Sequence, residues 1–282
     1  METLTVNHYF DAMSIFDDDK DQMERIDNTV YTRLTNERRV SVQFEFINEV
    51  WSSDDDCDYV DCCTYISKVD AFYRPSIPGI PYFSEIRQDV KVVFSKETPN
   101  YQRKYEDKPW FNGGNIAVLG EYNHNHDTHG ECILLYIHNI KASCGSILID
   151  HKTKQLLLAT YVHELYHAYF KSEDGYKAEV EEPLAEFGTL FCLEVMACMG
   201  VVDLSEVDSY HSRVKDKKDA LPIYAFGADI FEKHSQKQTL CEMGRILKAY
   251  KESIPLCNLS SWNPEDWDKA YEDLKKALNY VD

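Results

Sequence analysis

Residues 154–171, KQLLLATYVHELYHAYFK, constrain this chain more than any other stretch. The segment holds no Gly or Pro, and Leu158, Val162, Leu165 and Tyr169 recur at three- and four-residue intervals. That spacing predicts a largely buried helix over about 154–171. Lys171 suits the carbonyl end of its last turn, and SEDGY provides the exit. Into this apolar surface the sequence sets His163, Glu164 and His167 without shifting the helical phase. Charged and polar side chains are seldom buried unless they are paired or bind a metal.

The rest of the chain is long enough to enclose such a helix. It has 282 residues, 44% apolar and 13% aromatic, so a substantial core is expected. Residues 40–50 and 89–94 alternate with a period of two and read as strands. Residues 116–119, 131–139 and 146–149 are short apolar runs, further strand candidates. The acidic stretch 52–63 reads as a solvated loop. The segment 121–130, with His124, His126 and His129, reads as a hairpin or rim loop rather than a metal site. PGIP (78–81) and KPWFNGGN (108–115) read as tight connections. A second helix is expected over about 177–199, with Pro183 near its start. KDKKDALP (215–222) reads as a charged connection, IYAFGADIFEKH opens another helix, and 241–251 and 264–278 fit two more. Strands thus fill the first half and helices the second, an α+β architecture, with a strand-rich region over 1–110 and a second region over 111–282 that holds the buried helix.

The formal charge of −19 and pI near 4.9 repel phosphate backbones and anionic lipid, which argues against nucleic acid as a partner. No run approaches eighteen apolar residues, so no membrane span is expected. The nine cysteines are scattered without the paired spacing of a zinc ribbon, and Cys192 and Cys198 read as core packing. The opening METLTVNHYFD has neither basic nor apolar export features, which favours the cytoplasm, with export by a signal-less route as the alternative.

His163-Glu164-Leu165-Tyr166-His167 is an H-E-x-x-H sequence. On a helix its two histidines differ by roughly 40° in direction, so both imidazoles can meet one ion from the same face. Glu164, one position past the first, can reach a water on the metal without occupying a coordination position. A further ligand must come from elsewhere, and the second helix offers Glu179, Glu181, Glu182, Glu186 and Glu194. Counting from the facing ends of an antiparallel pair brings Glu182 to the depth of His167. Glu186, one turn on, then suits a hydrogen bond to the far nitrogen of a ligand imidazole. The swapped assignment stays open, and Glu179 and Glu181 are expected at the solvent or rim.

The segment resembles the zincin superfamily of zinc metallopeptidases, and within it the glutamate-ligand gluzincin branch, where a glutamate on the following helix completes the site. Glu182-Pro183-Leu184-Ala185-Glu186 is similar to the E-G-F-A-E pattern of that branch. Fourteen residues separate His167 from Glu182, fewer than in aminopeptidase-like members, whereas the eighteen before Glu186 match their usual gap. The resemblance implies one Zn2+ held by His163, His167 and Glu182, with Glu186 as supporting residue or alternative ligand. It further implies Glu164 as catalytic base, a peptide or protein substrate, an edge strand holding that peptide, with 131–139 the first choice and 146–149 the alternative, and a Tyr or His opposite a developing oxyanion. Tyr210, His211, Tyr224 and His234 are the candidates for the last role. The alternatives are an acidic binding or regulatory protein that retains the site, or a zinc-dependent amidohydrolase acting on a non-peptide amide.

Overall fold

A computed structural model describes residues 2–11, 23–26, 30–33, 39–51, 56–68, 90–100, 116–170, 178–198, 200–236 and 239–253. Its strands are β1 Glu2–Asp11, β2 Met23–Ile26, β3 Val30–Arg33, β4 Arg39–Asn48, β5 Lys91–Ser95, β6 Gly120–His126 and β7 Gly130–Tyr136. Its helices are α1 Asp56–Ile66, α2 Ile137–Ser143, α3 His151–Phe170, α4 Ala178–Cys198, α5 Leu204–Asp216, α6 Pro222–Ser235 and α7 Leu240–Ser253. The fold is α+β, a small mixed sheet with helices making up most of the second half. Among the described residues no helix is long and apolar enough to cross a membrane.

The sheet runs in the order β1-β4-β5-β7-β6 and takes strands from both sides of residue 110. β4, β5 and β7 are parallel to one another, while β1 and β6 lie antiparallel at the two edges. Two-sided burial explains why β7 reads as an almost unbroken apolar run. Phe46, Val92, Phe94, Ile133 and Leu135 join the main core. Ile47, Val93, Cys132, Leu134 and Tyr136 form a second cluster with Val118.

Several expectations are corrected here. The edge is β6, a polar strand, whereas 131–136 lies inside the sheet and 137–143 turns into α2. Residues 146–149 are irregular, with Ile147 and Leu148 exposed. Most of the acidic stretch 52–63 is helical, because α1 buries Tyr59, Cys62, Cys63 and Ile66 along one face. Cys192 is buried as expected but Cys198 is exposed. The expected turns at 78–81 and 108–115 and the helix at 264–278 lie outside the described residues.

Helix α3 is the centre of the molecule, and every residue from Leu156 to Phe170 is buried. Asp150 caps its start, with Oδ1 accepting from the Thr153 backbone N–H at 2.9 Å and from Thr153 Oγ1 at 2.8 Å. Two glycines set how closely α4 packs. At Gly188 an added Cβ would meet the Tyr166 ring at 2.6 Å, and at Gly227 it would meet the Pro183 carbonyl oxygen at 2.4 Å. α4 continues through Pro183, whose missing N–H leaves the carbonyl one turn earlier without its helical partner.

Candidate metal centre

His163 and His167 are buried on one face of α3, and their Nε2 atoms lie 3.1 Å apart. Glu182 Oε2 stands 3.0 Å from the first and 3.3 Å from the second. His163 also meets Glu186, while His167, one turn later, meets Glu181, so α4 runs antiparallel to α3. Donors about 2.0–2.2 Å from a tetrahedral ion lie roughly 3.3–3.5 Å from one another. The two nitrogens and the oxygen therefore already stand at nearly the spacing of zinc ligands.

The groups around them fix which ring atoms face the centre. Glu186 Oε2 lies 3.1 Å from His163 Nδ1, and Glu181 Oε2 lies 3.7 Å from His167 Nδ1. At His163 the hydrogen-bonded carboxylate favours the tautomer with its proton on Nδ1, leaving the Nε2 lone pair toward the centre, whereas Glu181 acts on His167 Nδ1 only as a nearby charge beyond hydrogen-bond distance. Glu181 is buried, contrary to its expected rim position. Glu179 belongs to α4, but its side chain lies outside the described residues. Oε1 of Glu181 and Oε1 of Glu186 are buried and accept no hydrogen bond among the described residues.

Without an ion, protons take up the charge. Burial works to lower the pKa of each imidazole, yet the carboxylates outweigh it. Glu182 and Glu186 hold His163 well above its ordinary value, and Glu182 with Glu181 holds His167 at about 9. Burial likewise works to raise Glu182, but the two imidazoles keep it well below the usual carboxylate range. Two protonated rings with Nε2 atoms 3.1 Å apart repel each other. A divalent cation on those lone pairs replaces both protons and removes the conflict, so the donor set fits a metal.

Glu164 is buried beside this cluster without joining it. Its Oε2 accepts from the backbone N–H of Tyr122 on β6 at 2.9 Å. The close approach depends on Gly120, where a Cβ would lie 2.7 Å from Thr160 Cγ2 and 2.9 Å from Glu164 Cγ. A cleft opens here, lined by His163, Glu164, Glu186, Gly120, Tyr210, Arg213, Lys217 and Tyr224, among others. The Tyr224 ring stacks on His163, with centroids 5.7 Å apart and planes at 20°. Of the four oxyanion candidates, Tyr210 and Tyr224 line the cleft. His211 and His234 pack instead against Phe231 and Phe187.

The other histidines serve elsewhere. His129 is buried, with Nε2 2.9 Å from Glu49 Oε1, and ties the β6–β7 turn to the end of β4. His151, Asp203 and Glu206 form a second, more exposed group of donor atoms. Tyr65 donates to Glu206 Oε2 at 2.9 Å, a contact between α1 and α5. Sequence reasoning missed Glu181 and the cations of the cleft, although Tyr210, Arg213, Val214 and Lys217 stand at the i, i+3, i+4, i+7 spacing of one helical face. No family model, no curated protein and no solved structure matches this chain.

Proposed function

We propose that this chain is a zinc-dependent metallopeptidase with a zincin-like core of the glutamate-ligand type. One observation carries the reading: His163 Nε2, His167 Nε2 and Glu182 Oε2 converge within 3.0–3.3 Å of one another, beside a buried carboxylate, Glu164, that lines the same cleft. His163, His167 and Glu182 would hold the ion, and Glu186 and Glu181 would orient the two imidazoles. When bound, zinc supplies Lewis acidity, polarising a substrate carbonyl and lowering the pKa of water toward neutrality.

The remaining work falls to the protein's own groups. Glu164 takes a proton from the attacking water and returns it to the leaving nitrogen. Its contact with the Tyr122 N–H holds the carboxylate at one orientation and restricts its rotation. Tyr210 and Tyr224, which both line the cleft, would donate from their hydroxyls to charge developing on the carbonyl oxygen. Strand β6, at the sheet edge, offers backbone groups for an extended peptide, the pairing mode that suits an edge strand.

The test is direct. The purified protein is expected to hold one zinc ion per chain and to cleave peptides in a chelator-sensitive way. Glu164→Gln is expected to keep the metal and lose turnover by at least about a hundredfold. Absence of stoichiometric metal would sink the proposal, and a metal-loaded protein without hydrolysis would favour the binding-protein alternative.

A further inference from the structure

Resting on the metallopeptidase reading, we propose that Arg213 and Lys217 form a carboxylate-binding subsite in the cleft, which fixes where along a peptide the scissile bond falls.

Both side chains line the cleft that His163 and Glu164 also line. Arg213 comes from the last turn of α5 and Lys217 from the turn just after it. Neither forms a salt bridge among the described residues. Lys215, on the same stretch of helix but absent from the cleft lining, pairs with Glu232 and Asp229. Glu186, across the same cleft, attracts Lys217 without forming a salt bridge with it. So in a chain with 49 acidic residues against 30 basic ones, two cations beside the metal donors hold no direct ion pair among the described residues and can take an anionic ligand.

Arg213 is anchored rather than loose. Its Nη1 donates to the Ser143 carbonyl at 3.1 Å, and Nη2 lies 3.9 Å from Cys144 Sγ, at the end of α2. Those contacts leave several of the five guanidinium N–H groups to bind an anion. Lys217 is partly buried, and burial first, then the Arg213 charge, pushes its pKa down. A bound anion relieves both effects at once.

The anion is a single carboxylate rather than an acidic surface. The net charge of −19 repels strongly acidic substrates at long range, but screening over about 8 Å leaves a local pair of cations effective inside the cleft. The fitting ligand is a neutral or basic peptide bearing one carboxylate, either its C-terminal group or one Asp or Glu side chain.

The experiment measures binding, so it does not depend on turnover. Full-length, zinc-loaded Glu164→Gln protein is titrated with rhodamine-labelled hexa-alanine as the free acid, as the carboxamide, and as a carboxamide with one internal glutamate. Fluorescence anisotropy gives the affinities. The free acid is expected to bind about tenfold tighter than the plain carboxamide or better, and Lys217→Met or Arg213→Met is expected to bring that ratio close to one. If the glutamate peptide shows the preference instead, the carboxylate recognised is a side chain and the subsite stands. Equal affinity for all three peptides, or no binding of any, overturns the proposal. So does a preference that survives both substitutions, since the metal alone then explains it. Because Arg213 also clamps Ser143, Lys217→Met decides the matter if Arg213→Met misfolds by circular dichroism. Hydrolysis by the unmodified protein is scored separately. Carboxylate preference without cleavage removes the peptidase reading and keeps the subsite, and cleavage without preference does the reverse.

Discussion

The backbone N–H of Tyr122 donates to Oε2 of Glu164 across 2.9 Å, joining the edge strand of the sheet to the helix that carries both histidines. The contact exists because Gly120, two residues earlier, has no side chain between β6 and α3. The strand proposed to receive the substrate thereby also positions the proposed base.

Gly120→Ala tests that arrangement. The new methyl group would meet Thr160 Cγ2 at 2.7 Å and Glu164 Cγ at 2.9 Å, so Glu164 must move. Turnover is expected to fall about a hundredfold, as for a misplacement near 1 Å, with zinc content unchanged. Stability is expected to drop by about 1–3 kcal/mol in denaturant titration. Full activity in the variant would show that the position of Glu164 is unimportant.

Glu186 faces Nδ1 of His163 at 3.1 Å, and under the proposed function it positions that imidazole for the metal. Glu186→Ala is expected to weaken zinc binding by about 10–100-fold, and Glu186→Gln, which keeps an acceptor oxygen, to recover part of the loss. Competition with a chromogenic chelator measures both. Equal affinity in all three proteins would remove Glu186 from this role.

The metal-stripped protein is expected to lose stability in alkali. His167 has a folded-state pKa of about 9 against an ordinary 6.5, so its contribution is complete below about 6.5 and disappears as pH rises through about 9. The loss is on the order of 3 kcal/mol. Glu182 bounds the acid side, because its depressed pKa gives stability that is present above its ordinary value and lost as pH falls. Zinc replaces the imidazole protons, so the gap in melting temperature between loaded and stripped protein widens between pH 6.5 and 9. A stripped protein whose melting temperature holds steady or rises across that window would contradict the charge assignment.

Gly188→Ala puts a methyl group 2.6 Å from the Tyr166 ring, between α3 and α4. Stability is expected to fall by about 1–3 kcal/mol, together with zinc affinity, because Glu182 and Glu186 ride on the displaced helix. Lost stability with unchanged affinity would mean that the carboxylates adjust independently of the backbone.

The sequence was most legible where periodicity was strong. Helices expected over 154–171 and 177–199 form over His151–Phe170 and Ala178–Cys198, and Glu182 and Glu186 lie against the imidazoles. Polarity misled the rest. The segment 121–130, which reads as a hairpin or rim loop, does form the β6–β7 hairpin, but its polar arm is the edge strand and the apolar run after it an interior strand. The carboxylates of 52–63 concealed the buried face of Tyr59, Cys62, Cys63 and Ile66. Glu181 was assigned to the rim because nothing local distinguishes a carboxylate facing solvent from one facing a buried imidazole. Arg213 and Lys217 acquire meaning only once α5 is folded against the cleft.

Helix α4 meets α3 at its own Gly188, which lies against the Tyr166 ring, and meets α6 at Gly227, a glycine of α6 that lies against Pro183 and Glu186. Its depth at each crossing therefore depends on one residue that has no Cβ. Leu190, Leu193 and Met196 can be exchanged for side chains of similar bulk without shifting the carboxylates, whereas one methyl at either glycine moves them together. Tolerance to sequence drift around this helix is accordingly lopsided, broad at its large hydrophobic positions and narrow at the one glycine that each crossing depends on.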